Sequence, residues 1–187
     1  LFAKESQFWP GINAKKDVGL GQLTEHGADT TLLWNPPFFY QFCPLVMDSS
    51  ECAKGYLHLD EEQQVYVRQA LIAAVNATCD TCPLGIDVER ANFSIGVFAH
   101  ALMANCEQTS QVVWNYNERR TPSQLDISYE DMWKFTLINY NAGGGCLATA
   151  FELASENDEP LTFEGISPYL EPACQGAVEY VNQINNR

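Results

Sequence analysis

The sequence predicts a mainly α-helical fold, on three observations. Apolar residues recur at helical spacing in several stretches. Those stretches are opened by side chains suited to capping a helix, and one of them is closed by a run of glycines. No run alternates apolar with polar residues for long enough to make more than a minor strand. With 187 residues, 46% of them hydrophobic, the chain can bury a real core, which excludes disorder.

The elements follow in order. Asp60, with Gln63 three residues on, reads as a capping box, and Val67, Ala70, Leu71, Ala74 and Val75 then fall on one face. A second helix is predicted from Asp87 through Ile95, Val97, Phe98, Ala101 and Leu102. It is apolar nearly all round, which predicts a buried central helix. Ser128 opens a Ser-x-x-Asp cap, and the helix from Tyr129 stops at Gly143-Gly144-Gly145. Leu147, Ala150, Phe151 and Ala154 form a short stripe, and a last helix carries Cys174, Ala177, Val178, Val181 and Ile184. Loops are expected at Asn35-Pro36-Pro37, from Cys43 to Gly55, and over the acidic stretch 155–160.

Composition removes several classes of function. The net charge is −14, and the only basic pairs are Lys15-Lys16 and Arg119-Arg120, which excludes a nucleic-acid partner that needs clustered cations. An acidic surface gives no long-range attraction to an anionic polymer either, so recognition of one would rest on hydroxyls, amides and ring faces. The longest fairly apolar stretch, Phe93 to Met103, is too short to span a bilayer. No basic and apolar leader opens the chain and residue 1 is Leu, so a mature or excised segment of a longer protein is expected, with further domains as possible partners. Seven cysteines are many for a cytosolic protein. Cys79-Asp-Thr-Cys82 is a lone C-x-x-C, and His26, His58 and His100 are scattered, so neither a metal nor any other cofactor is expected.

Three short motifs carry the chemistry: Glu5-Ser6-Gln7-Phe8, then Gly19-Leu20-Gly21-Gln22, and later Tyr140-Asn141-Ala142-Gly143. Together they resemble the signature motifs of the lytic transglycosylases of the lysozyme superfamily: Glu-Ser-x-Phe, Gly-Leu-Met-Gln about fourteen residues on, and Ala-Tyr-Asn-Ala-Gly. Glu5 and Gly19 are 14 residues apart, which fits. Glu179-Tyr180-Val181 is similar to the Tyr-Val pair of that family's final helix. The resemblance implies a lysozyme-like helical domain over 1–187, with a cysteine-containing insertion within 35–125 that the compact members lack. It also implies a peptidoglycan partner and an extracytoplasmic location. Three departures stand out: Gly21 replaces Met, Asn139 replaces Ala, and only four residues precede Glu5, where the family has a helix of several turns.

The resemblance implies cleavage of the bond between N-acetylmuramic acid and N-acetylglucosamine, and the residue types suit glycosidic cleavage. Such cleavage needs a proton on the leaving oxygen and passes through an oxocarbenium-like state. A Glu at a helix end beside apolar Phe8 and Trp9 can stay protonated near neutral pH, so Glu5 is the candidate catalytic acid. Ser6 can orient that carboxyl, Gln22 can bind an acetamide or the backbone near Glu5, and Tyr140 and Asn141 can line the opposite wall. The glycines at 19 and 21 would let backbone approach a sugar. Each has a plainer reading: Gln22 as a turn former, Tyr140 and Asn141 as a helix end, Ser6 as a structural hydrogen bonder and Tyr180 as core. A goose-type lysozyme, which hydrolyses the same bond, would want a second carboxylate, and Asp17 and Glu25 flank the second motif. Two neighbouring lysines suggest an outward-turned Asp17. A non-catalytic wall-binding module is the third possibility. An extracytoplasmic location implies oxidised cysteines. Seven cysteines making three bridges allow about a hundred pairings. Short-range pairs such as Cys43 with Cys52 and long-range ones such as Cys146 with Cys174 are expected, and about one thiol stays free.

Overall fold

A computed structural model of the chain describes residues 9–14, 16–116 and 127–185. The described chain is mainly helical, and its extended pairing is limited to isolated bridges between Ile12 and Val18, Val18 and Leu23, and Thr78 and Ile86. The helices are α1 (Glu25–Trp34), α2 (Pro36–Phe42), α3 (Ser49–Cys52), α4 (Glu61–Val75), α5 (Val88–Tyr116), α6 (Tyr129–Ala142), α7 (Gly144–Glu156), α8 (Phe163–Ile166) and α9 (Gly176–Asn185). The chain divides into two compact units, Leu1–Ala104 and Asn105–Arg187, with the boundary inside α5. None of the described helices is long and apolar enough to cross a membrane.

In the first unit α4 forms as its sequence predicts. Asp60 accepts from the Gln63 backbone at 2.8 Å, and Gln63 Oε1 accepts from the Asp60 backbone at 3.1 Å, closing the capping box. Val67, Leu71 and Val75 on its inner face are at most 1% exposed. They share a core with Ala28 and Leu32 of α1 and with Phe39 of α2, whose ring meets Tyr56 edge-on at 5.7 Å. Burying each Leu or Phe is worth roughly 1.5–3 kcal/mol, so these side chains dominate the unit's stability. A polar clasp fixes the register of α1 on α4. Arg68 Nη1 donates to Asp29 Oδ2 at 2.8 Å, and the Tyr56 hydroxyl donates to Asp29 Oδ1. Burial and the Asp29 carboxylate together push the Tyr56 hydroxyl well above its ordinary pKa, so it remains a donor.

Two expectations need correction. Asn35-Pro36-Pro37 is not a loop: Asn35 ends α1 and its Oδ1 caps α2 by accepting from Phe38 N at 3.2 Å, while the prolines occupy the first turn, where no N–H is needed. The stretch from Cys43 to Gly55 likewise contains a 3₁₀ turn (Cys43–Leu45) and α3, held together by the Cys43–Cys52 disulfide. Nor is α5 buried all round. Ser94, Val97, Phe98, Ala101 and Ala104 are buried, whereas Val88, Ile95 and Met103 are 67%, 43% and 60% exposed. Apolar composition on the outer side of a helix does not oblige burial, because much of any protein surface is apolar.

The second unit is built on α6, which packs against α7 and α9. Ser128 caps α6 by accepting from Asp131 N at 3.0 Å. Asp131 in turn accepts from Phe163 N at 2.9 Å, joining the start of α6 to the start of α8. Lys134 lies between Glu130 at 2.8 Å and Glu164 at 3.5 Å, over the ring of Phe163. Phe135 meets Phe151 of α7 edge-on at 5.0 Å, and Leu147, Ala150 and Ala154 complete that buried stripe. On α9, Ala177, Tyr180 and Val181 are buried, which places Tyr180 in the core. The acidic turn after α7 closes on Asp158, whose φ of 55° is left-handed.

Six cysteines pair as Cys43–Cys52, Cys79–Cys82 and Cys146–Cys174, while Cys106 is free and exposed. Three disulfides fit an oxidising, extracytoplasmic compartment. Thiol titration of the native, unreduced protein should find one reactive group, lost in Cys106→Ser. Replacing Cys146 and Cys174 together by Ala should cost about 3–4 kcal/mol, since that bridge spans 28 residues. The same change at Cys79 and Cys82, only 3 apart, should cost about half as much. Urea unfolding of the two double variants checks that order.

Candidate functional site

The residues of the second motif lie in a turn strapped into the first unit from both sides. Ala77 N donates to Pro10 O at 3.0 Å, and Gly19 N donates to Gly11 O at 3.1 Å. Val18 and Leu23 exchange backbone hydrogen bonds at 3.0 and 2.8 Å, closing the turn that carries residues 19–22. Leu20 N donates to Ser94 Oγ of α5 at 3.1 Å.

Both glycines of this turn are required by packing. Gly19 has a φ of 76°, and a Cβ there would stand 2.7 Å from the carbonyl oxygen of Val75 and 2.6 Å from Ser94 Oγ. A Cβ on Gly21 would stand 2.5 Å from the ring of Phe98. The close approach that these glycines permit is therefore to α4 and α5. Phe98 fills the space that a side chain at position 21 would need, which accounts for the glycine there.

Gln22 has a left-handed φ of 52°, and both ends of its amide are engaged. Nε2 donates to Gly19 O at 2.9 Å, and Oε1 accepts from Asn13 Nδ2. The Asn13 amide also donates to Asp17 Oδ2 at 3.0 Å, and Asp17 N donates to Asn13 Oδ1 at 3.0 Å. Asp17 is thus turned toward the motif rather than away from it, and is only partly exposed. Its carboxylate and the Gln22 amide share one asparagine, a linkage that motif spacing did not signal. Glu25 is exposed on the first turn of α1 and accepts from Gln69 at 3.2 Å.

The third motif belongs to the second unit. Tyr140 is half-buried and Asn141 exposed in the last turn of α6, which ends at Gly143 with a φ of 91°. Asn139, just before them, is 2% exposed. Its Nδ2 donates to Asn105 O at 3.0 Å and to Gln108 Oε1 at 3.1 Å, while Oδ1 is buried without a partner among the described residues. Asn139 is therefore a polar clasp between α6 and the later part of α5, fixing where Tyr140 and Asn141 stand.

Glu5 and Ser6 lie outside the described residues, as does Phe8. Trp9 is 55% exposed, so half of its surface is open to solvent. Among the described residues no cluster of His, Cys, Asp and Glu could hold a metal ion. Comparison with known proteins finds no matching family model, no similar curated protein and no matching solved structure.

The turn geometry makes a paired prediction. Gly21→Ala should destabilise the protein by about 1–3 kcal/mol, because the methyl group collides with Phe98. Gly96→Ala, on the same helix as Phe98 but with open space at its Cβ, should stabilise by about 0.5–1 kcal/mol through helix propensity. Urea denaturation of both variants decides it, and equal shifts would refute the packing account.

Proposed function

We propose that this protein cleaves the glycosidic bond between N-acetylmuramic acid and N-acetylglucosamine in peptidoglycan, as a lytic transglycosylase with a lysozyme-like fold. The observation that carries the reading is the order and spacing of the three motifs around Glu5. The helical architecture and the disulfides are consistent with it.

In this reading the Glu5 carboxyl protonates the leaving oxygen. The resulting carboxylate then takes a proton from the muramic 6-hydroxyl, whose oxygen closes on its own anomeric carbon. One group serves as acid and base, no water is consumed, and no cofactor is needed. Ser6 orients the Glu5 carboxyl, while Gln22, Tyr140 and Asn141 bind the glycan. Gln22 and Asn141 hold substrate rather than move protons, so their loss costs less than that of Glu5.

The Asn13–Asp17–Gln22 linkage favours a second reading, a goose-type hydrolase of the same bond. An inverting enzyme needs a second carboxylate held about 6.5–9.5 Å from the first to activate water. Asp17 is the acid that the structure ties to the second motif.

Glu5→Gln should abolish digestion of purified peptidoglycan while leaving the circular dichroism spectrum unchanged. General acid catalysis alone is worth about 10²–10⁴-fold. Turnover near the parent rate would refute the assignment. Mass spectrometry of the digest separates the two chemistries. Anhydro-muropeptides should be about 20 mass units lighter than borohydride-reduced hydrolysis products, because no water is added and no reducing end remains. Reducing ends together with an inactive Asp17→Asn variant would establish the hydrolase instead.

A further inference from the structure

A cavity of about 300 Å³ opens in the first unit between α2, the Cys43–Leu45 turn and α5. It stands apart from the motif turn. On α5 the turn is met by Ser94 and Phe98, whereas the cavity is lined by Phe93, Gly96, Val97 and His100. Successive helical residues are about 100° apart, so the two sets form adjacent faces of one helix.

Half of the lining residues are aromatic, counting His100, and Gln41 is a second polar side chain among them. Phe38 stacks on His100 at 4.6 Å and on Phe42 at 5.8 Å, and Phe42 meets Phe93 at 6.1 Å. Leu45, 74% exposed, stands on its rim. Packed aromatic walls of this kind favour a planar apolar guest. An apolar cavity of about 150 Å³ holds one benzene ring, so about twice that volume suits two fused rings.

The His100 ring of this lining takes its sense from Asn35, at the junction of α1 and α2. Asn35 Oδ1 must accept from Phe38 N, because that bond caps α2, and its Nδ2 donates to His100 O at 3.3 Å. With the amide so oriented, Nδ2 also faces His100 Nδ1 at 3.1 Å, and that nitrogen must be the acceptor. With Nδ1 accepting, the ring proton sits on Nε2, a donor with no partner among the described residues.

The geometry points to a second binding site here, for a neutral two-ring aromatic compound carrying one hydrogen-bond acceptor, with its rings among Phe38, Phe42 and Phe93 and its acceptor on His100 Nε2. A net charge of −14 disfavours an anionic guest. The site owes nothing to the glycan-cleaving reading and stands or falls separately.

Quinoline and naphthalene are matched probes, equal in shape and differing by one acceptor nitrogen, and both are neutral at about pH 8. Titration of the full chain, followed by NMR chemical-shift changes, should show both binding, quinoline at submillimolar Kd. His100→Phe keeps the stack and removes the donor. It should weaken quinoline about 3–10-fold and leave naphthalene within about 2-fold. Gly96→Phe places a ring in the cavity mouth from a position with open space at its Cβ, and should abolish binding of both. Circular dichroism confirms that each variant is folded. Absence of binding by the parent chain overturns the proposal. So does binding that survives Gly96→Phe, or a loss in His100→Phe that is equal for the two probes.

Discussion

The approach of the Gly19–Gln22 turn to α4 and α5 sets the geometry of much of the first unit. The turn reaches the end of α4 at Val75 and the face of α5 at Ser94 and Phe98, at distances that leave no room for a Cβ at 19 or 21. Because the turn is also bonded to Gly11, and Pro10 to Ala77, the segment is anchored at Pro10 and Gly11 and again at Val18 to Leu23 before α1 begins. A buried, closely packed backbone must satisfy its own polar groups, and here the Ser94 hydroxyl and the Gln22 side chain do so. Gln22 is thus a structural residue whatever else it does, and a glycan contact would be made by groups that this turn has already fixed.

A second constraint is the sharing of single polar side chains by two elements. Asn35 ends α1, caps α2 and reaches His100 of α5. Asp29 joins α1 to Tyr56 and Arg68, and Asp131 joins the starts of α6 and α8. Asn139 holds α6 against the later turns of α5. Removing one partner from such a cluster leaves a buried group unpaired, which costs about 1–3 kcal/mol, more than the net worth of an ordinary hydrogen bond. These residues therefore define relative helix positions more sharply than apolar burial, which tolerates sliding. The disulfides work beside them, Cys43–Cys52 closing a stretch rich in short turns and Cys146–Cys174 linking α7 to the segment before α9.

What the sequence by itself determined is local. The capping box at Asp60, the Ser128 cap, the glycine stop at 143 and the stripes on α4, α7 and α9 are all properties of residues within one or two helical turns of each other. The Cys43–Cys52 and Cys146–Cys174 pairs were expected as examples of short- and long-range bridges, and both form. The candidate site was legible only as a motif order around Glu5, and the chemistry proposed for it rests there. The tertiary structure decided everything that joins residues far apart in the chain. Gly21 is glycine because Phe98 lies against it, Asp17 faces Gln22 through Asn13, and Asn139 reaches Asn105 and Gln108. It also decided that α5 is buried on one side and that the prolines after Asn35, where α1 ends, open a second helix rather than a loop. The reason is physical: caps and periodicity act through the backbone nearby, whereas close packing and shared hydrogen bonds depend on which elements meet, and that is set by the whole core at once.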